Sequence, residues 1–253
     1  MVLALLLAVS AHAHKPAFEG EWDGPDNAYV IEDNEISIVI YRELTCEQPE
    51  LWMTFDAVAG EPVWVQLGVP EIPRLEDDRP SVAVIGPGLP EPKPGDFPFE
   101  VPDGLGVVLL DGGGSQVEFY EPFSQTSSWV HVEEWVDMPE SGTSYIVGWN
   151  PENRTGKIWL AVGVVEDFSD VAPSDFGEWG PLVNNFHETG EFEPVPDIEE
   201  QVCEDNGADD DGHEHDEHDH GKEKGCDQTG GAPWTAGGLA LIALVLRRRS
   251  VRA

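Results

Sequence analysis

The chain has 253 residues, of which 50 are Asp or Glu and 13 are Lys or Arg, giving a formal net charge of −37 at pH 7. Nucleic-acid phosphates are bound by basic surfaces, so this balance excludes nucleic acid as a partner and makes cations the natural counter-charge. The same acidity serves equally as a solvated coat that keeps a chain soluble.

The first element is apolar. Residues 2–9 are Val, Leu and Ala throughout and lead into Ala11-His12-Ala13. Small residues at Ala11 and Ala13 suit a signal peptidase, so residues 1–13 are expected to be an export signal cleaved before His14. No Lys or Arg precedes the apolar run, as expected if the true start lies upstream. Cleavage there would make His14 the first residue, offering copper both an amine and a ring nitrogen once a second imidazole approaches. His131 and His187 are the candidates for that partner, and the arrangement resembles copper oxygenases and copper carriers built on a β-sandwich. The competing reading is an arbitrary first residue on a loose end next to Pro16.

From residue 14 to 168 the apolar period is two. Segments 36–41, 51–55, 62–67, 81–85, 106–110, 116–120, 129–132, 145–149 and 158–162 are short, rich in β-branched and aromatic residues, and bounded by Gly, Pro, Asn or Asp. Such spacing predicts an all-β domain of about eight to ten strands in two packed sheets, a β-sandwich or jelly roll. The Pro/Gly-rich stretch 86–106 is expected to be a long loop, and loops of that length are functional or mobile.

The run 51–60 carries Phe55 into the turn Ala59-Gly60 before the strand at 63–67. Pro139, Gly142 and Tyr145 precede the last hairpin, which runs into 155–162. Over residues 36–165 this pattern resembles the small jelly-roll domains appended to secreted bacterial peptidases (pre-peptidase C-terminal type). The resemblance implies a binding or processing module without catalytic residues. Some members bind calcium, but no aspartate-rich cluster here can be matched to theirs.

Residues 169–203 close the domain. Within them 175–187 has helical spacing, with Trp179, Leu182, Val183 and Phe186 on one face and Gly180-Pro181 weakening its start. Residues 204–224 are almost devoid of apolar side chains, cannot bury a core, and are expected to form a disordered acidic linker. His213, His215, His218 and His220 alternate there with acids. This is a flexible chelate for a divalent metal such as Zn, Ni or Cu, or else a solvated linker. Asp209 to Gly212 echoes a calcium loop but fails its ligand spacing.

The chain ends with Gly225-Cys226, a Gly/Thr/Pro spacer, an apolar segment at 234–246 and Arg247-Arg248-Arg249. Spanning a bilayer takes about 20 apolar residues, so the segment is short for a permanent anchor, and the arginines favour the cytoplasmic side. Residues 225–253 resemble the myxobacterial C-terminal sorting signal (MYXO-CTERM type). The resemblance implies processing at Gly225-Cys226, lipid modification of Cys226 and display at the cell surface. Export and sorting machinery would then be partners, and the membrane would hold the C-terminus. An ordinary single-pass anchor is the competing reading. With Cys226 assigned to sorting, Cys46 and Cys203 remain as a pair in an oxidising compartment, where a disulfide is expected and two separate thiols are the alternative.

No nucleophile elbow, zinc-protease, P-loop or dinucleotide motif occurs. Glu133-Glu134 with Asp56 or Glu118 offers carboxylates, but nothing in the spacing sets the separation that sugar cleavage needs. The sequence therefore describes a surface-anchored, non-catalytic sandwich that binds a glycan or a cation, or is purely structural. Copper handling through His14 is the alternative.

Overall fold

The computed structural model describes residues 14–189 except 19, 94, 112, 113 and 115, together with 202 and 203. They belong to a unit that ends at Asn206. Eleven strands form two sheets. β1 (Lys15–Ala17), β3 (Ile38–Leu44), β5 (Pro62–Pro70), β8 (Val117–Glu121), β9 (Thr126–Asp137) and β11 (Gly156–Val162) make the first, in the order β1-β3-β11-β5-β9-β8. β2 (Tyr29–Val30), β4 (Glu50–Ala57), β6 (Ser81–Gly86), β7 (Gly106–Leu110) and β10 (Gly142–Trp149) make the second, in the order β2-β4-β10-β6-β7. Neighbours are antiparallel except β1 on β3 and β2 on β4, which are parallel.

The alternation of the sequence sets the layers. Leu51, Met53, Phe55 and Ala57 of β4 point inward to meet Val63, Val65, Leu67 and Val69 of β5, with Ile40, Ile146 and Leu160 in the same core. Successive side chains of a strand face opposite ways, so the intervening residues cover the outer faces. Each fully buried Val, Leu or Ile contributes about 1.5–3 kcal/mol of transfer free energy, and this interior layer is the main stabilising element. β5 is buried at eight of its nine positions because its outer face is also covered.

Part of that cover comes from the C-terminal end of α1 (Pro173–Phe186), the one α-helix among the described residues. Its outward-facing cluster on the six-stranded sheet includes Val39, Trp64, Val130, Trp159 and Ala161, with Phe186 packed against them. The helix runs through Gly180-Pro181 instead of stopping there. The apolar stripe differs from the expected one: Leu182 is 43% exposed, and Phe176 takes its place in a ring cluster with Trp179 and Phe168. The outer face of the five-stranded sheet is covered by the loop between β6 and β7. Phe99 stands edge-on to Trp52 at 5.2 Å and to Trp149 at 5.1 Å.

Cys46 and Cys203 form a disulfide, with Cα atoms 5.4 Å apart. Cys203 is also tied to the β10–β11 turn, where its N–H donates to Asn153 O at 2.8 Å and its carbonyl accepts from Asn153 Nδ2 at 3.0 Å. No helix among the described residues is long and apolar enough to cross a membrane.

Candidate functional site on the outer face of the six-stranded sheet

The outward row of β5 is Trp64, Gln66 and Gly68. Gly68 lies where Trp159 crosses the sheet, and a Cβ there would stand 2.4 Å from Trp159 Cζ2 and 2.7 Å from the Trp129 carbonyl. The absence of a side chain lets the indole lie flat over β5, which aims its N–H at the next strand. Trp159 Nε1 donates to Ser128 Oγ at 3.1 Å, and Ser128 Oγ is 3.1 Å from His187 Nε2. On the other side of the ring, His187 Nδ1 is 2.9 Å from Val183 O. A carbonyl only accepts, so Nδ1 carries the proton and Ser128 donates to Nε2. Burial, opposed by the Val183 carbonyl and reinforced by the nearby Lys157 charge, lowers the His187 pKa to about 4. The imidazole is neutral with a fixed tautomer.

The next residue anchors the same corner by charge. Glu188 accepts from Arg74 Nη1 at 2.7 Å, from Arg74 Nη2, and from Lys157 Nζ at 2.8 Å. The Arg74 bonds, with help from Lys157, hold its carboxyl down at about 2. Lys157 Nζ also reaches the Phe186 carbonyl at 3.1 Å. Tyr41 packs against Phe186 and His187, and burial, with Glu121 nearby, raises its hydroxyl above the usual phenol range.

His14 reaches this face from the other side. β1 pairs with β3, which brings His14 Nδ1 to 2.5 Å from Ser37 Oγ and lays its ring nearly parallel to Trp64, with centroids 6.2 Å apart. Between His14 and His187 lies a cavity of about 20 Å³, bordered also by Tyr41, Gln66, Ser128 and Trp159. It has room for one water or one ion. His131 does not border it. Leu67 pairs with Val132 and Gly68 with Val130, so His131 is the extra residue of a β-bulge in β9. Of the two partners expected for His14, the structure brings up His187.

Beyond the cavity the face opens. β9 pairs Glu133 with Gln66 and Trp135 with Trp64. Gln66 Nε2 donates to Glu133 Oε2 at 3.0 Å, and Trp135, two residues on and on the same face, is 56% exposed. The other described tryptophans are buried or half-buried. An exposed indole beside an exposed carboxylate, which the buried Gln66 orients, combines a flat apolar surface with a hydrogen-bonding group at its rim, as the recognition of a polar ring requires. Alternation within β9 was the signal for this pair. No local signal joins Ser128 to His187, 59 residues apart.

The paired acids do not assemble. Asp56 lies on the five-stranded sheet, where it accepts from Thr143 Oγ1, whereas Glu133, Glu134 and Glu118 belong to the six-stranded one. Among the described residues no three His, Cys, Asp or Glu side chains are grouped to hold a metal. Ala11, Ala13, His213, His215, His218, His220, Gly225 and Cys226 lie outside the described residues.

No family model and no curated protein matches the chain. Among solved structures, the pre-peptidase C-terminal domain of a collagenase from Bacillus anthracis is similar over 55% of this chain and 97% of its own, at 12% identity and a TM-score of 0.31. Both values are too low to carry a functional statement, and the sandwich assignment rests on the two sheets themselves.

Proposed function

We propose that the chain is an exported, surface-displayed β-sandwich that binds a ligand without transforming it, and that the ligand is a glycan held on the outer face of the six-stranded sheet. The observation that supports this reading is Trp135, left open to solvent on a rigid strand beside the hydrogen-bonded Gln66–Glu133 pair. A sugar ring would stack on the indole while its hydroxyls bond the Glu133 carboxylate, which the buried Gln66 holds in place. The export signal at residues 1–13 and the sorting signal at 225–253, both read from sequence, would place this face outside the cell on an acidic linker. The test is affinity electrophoresis of the full chain against neutral and acidic polysaccharides. Retardation by at least one polysaccharide, abolished in Trp135→Ala and weakened in Glu133→Gln, supports the reading. No retardation by any, or retardation that Trp135→Ala leaves intact, overturns it.

The cavity shared by His14 and His187 favours one second reading. If cleavage after Ala13 freed the His14 amine, that amine and two imidazoles would be a donor set suited to copper. The Nδ1–H of His187 is bonded to a carbonyl, as in metal-bound histidines, and Nε2, which accepts from Ser128, is the nitrogen copper would have to take from that hydroxyl. Copper titration of the mature protein decides it: stoichiometric tight binding lost in His187→Ala supports copper handling, and uptake unaffected by that change excludes it.

A further inference from the structure

The last described residues, Val202 and Cys203, are held to the sandwich by an isolated bridge between Val202 and Arg154, by the two hydrogen bonds between Cys203 and Asn153, and by the disulfide to Cys46. Hydrogen bonds of this kind open under load, whereas the disulfide does not without chemistry. Cys46 follows β3 directly, and β3 is paired along its length with β11. A pull on the chain beyond 203 therefore has two routes into the domain. One runs back along the chain to α1, which is docked by side-chain contacts such as His187 on Ser128 and Glu188 on Arg74. The other crosses the sulfur bridge into a strand of the sheet. The sulfur bridge is covalent, so the segment between Cys46 and Cys203 cannot lengthen while it is intact, whichever route takes the load.

We infer that the Cys46–Cys203 disulfide is the mechanical clamp of this domain, and that its reduction makes the segment between the two cysteines, inextensible until then, extensible. The inference goes beyond the binding reading and does not depend on it. A sequence separation of 157 residues places β4 to β11 and α1 inside the closed loop, including both sheets' central strands, and leaves β1, β2 and β3 outside it. Tension applied at the two ends of the chain can straighten only what precedes Cys46 or follows Cys203.

The bridge is open to reaction. Cys46 is exposed, Cys203 is half-buried, and a cavity of about 250 Å³ beside them is lined by Cys46, Thr45, Glu47, Arg74 and Thr155. A low-molecular-weight thiolate from solution can attack the Cys46 sulfur, forming a mixed disulfide and releasing Cys203 as a thiolate that takes a proton from water. A second thiol then displaces the first from Cys46. The sum is two external thiols oxidised to one external disulfide and both cysteines reduced.

Single-molecule force spectroscopy of the full chain, held by handles at its two ends, tests this. In the oxidised protein, extension is expected to stop short of the loop. After exposure to a thiol or phosphine reductant during pulling, the 157-residue separation, at about 3.3–3.6 Å per residue, should add roughly 52–57 nm of contour. The Cys46→Ser/Cys203→Ser variant should show the same added length without reductant, and the wild type reduced in place covers the case in which the variant fails to fold. His187→Ala, which loosens α1, should leave the oxidised extension unchanged. A gain of the full loop length in untreated protein, or no added length after reduction, overturns the inference.

Discussion

Acidification provides a direct test of the buried His187 network. The ring is only 5% exposed, both nitrogens are engaged, and its pKa falls from 6.5 to about 4. Above pH 6.5 the imidazole is neutral in the folded and the unfolded chain, and its contribution to stability is constant. As the pH falls from 6.5 toward 4, the unfolded chain takes up a proton that the native state refuses, so stability declines with falling pH; below 4 both states are protonated and the decline from this group ends. At about 1.36 kcal/mol per pH unit of this window, about 3 kcal/mol is lost between pH 6.5 and 4. Carboxylates add their own acid dependence, so the quantity to measure is the difference between the wild type and His187→Gln, whose side chain hydrogen-bonds without titrating. Urea denaturation midpoints for both proteins, taken between pH 7.5 and 3.5 on the oxidised chain, give that difference. The wild type should lose more stability than the variant, with the divergence starting near pH 6.5. Parallel curves for the two proteins would refute the assignment of a buried neutral imidazole donating to the Val183 carbonyl.

Gly68→Ala should destabilise the domain by about 1–3 kcal/mol, read as a lowered melting temperature, because the new methyl meets the Trp159 ring and the backbone carbonyl of Trp129 together. Trp135→Ala should change stability by no more than about 0.5 kcal/mol, so that any loss of polysaccharide retardation reports binding alone. Glu188→Gln should cost at most about 1 kcal/mol near neutral pH, since its partners are partly solvated. The Glu188 carboxyl is depressed in the folded chain, so its contribution is present above the ordinary carboxylate range and disappears as the pH falls through about 2, which acid titration of wild type against variant by circular dichroism detects.

The nine strands expected are all present, because short β-branched and aromatic runs bounded by turn residues mark a strand whether one face is buried or, as in β5 and β6, both are. β1 and β2 were missed for the converse reason: at three and two residues they are too short to alternate, and they are fixed by parallel pairing to β3 and β4 rather than by their own pattern. β9 is longer than the apolar run 129–132 suggests, since Glu133, Glu134 and Trp135 continue the strand with exposed side chains. In α1 the spacing placed Leu182 inward, whereas the packed side chains are Phe176, Trp179, Val183 and Phe186, a choice set by the aromatic residues of the segments against which the helix lies. The cysteine pair was legible by count, once Cys226 was set aside. The relay from Trp159 through Ser128 to His187 was not, because its three members come from β11, β9 and the end of α1, and only the folded sheet brings them together.

The sheet orders also give the sandwich two unlike flanks. On one side the sheets end in β1 and β2, of three and two residues, and on the other in β8 and β7, of five residues each. A flank of two or three residues offers a neighbouring chain too few rungs to pair with, whereas one of five residues offers a usable ladder. Among the described residues, the flank that ends in β1 and β2 is thus the poorer template for a neighbouring strand, a property that lies in the lengths of four strands and is independent of the net charge.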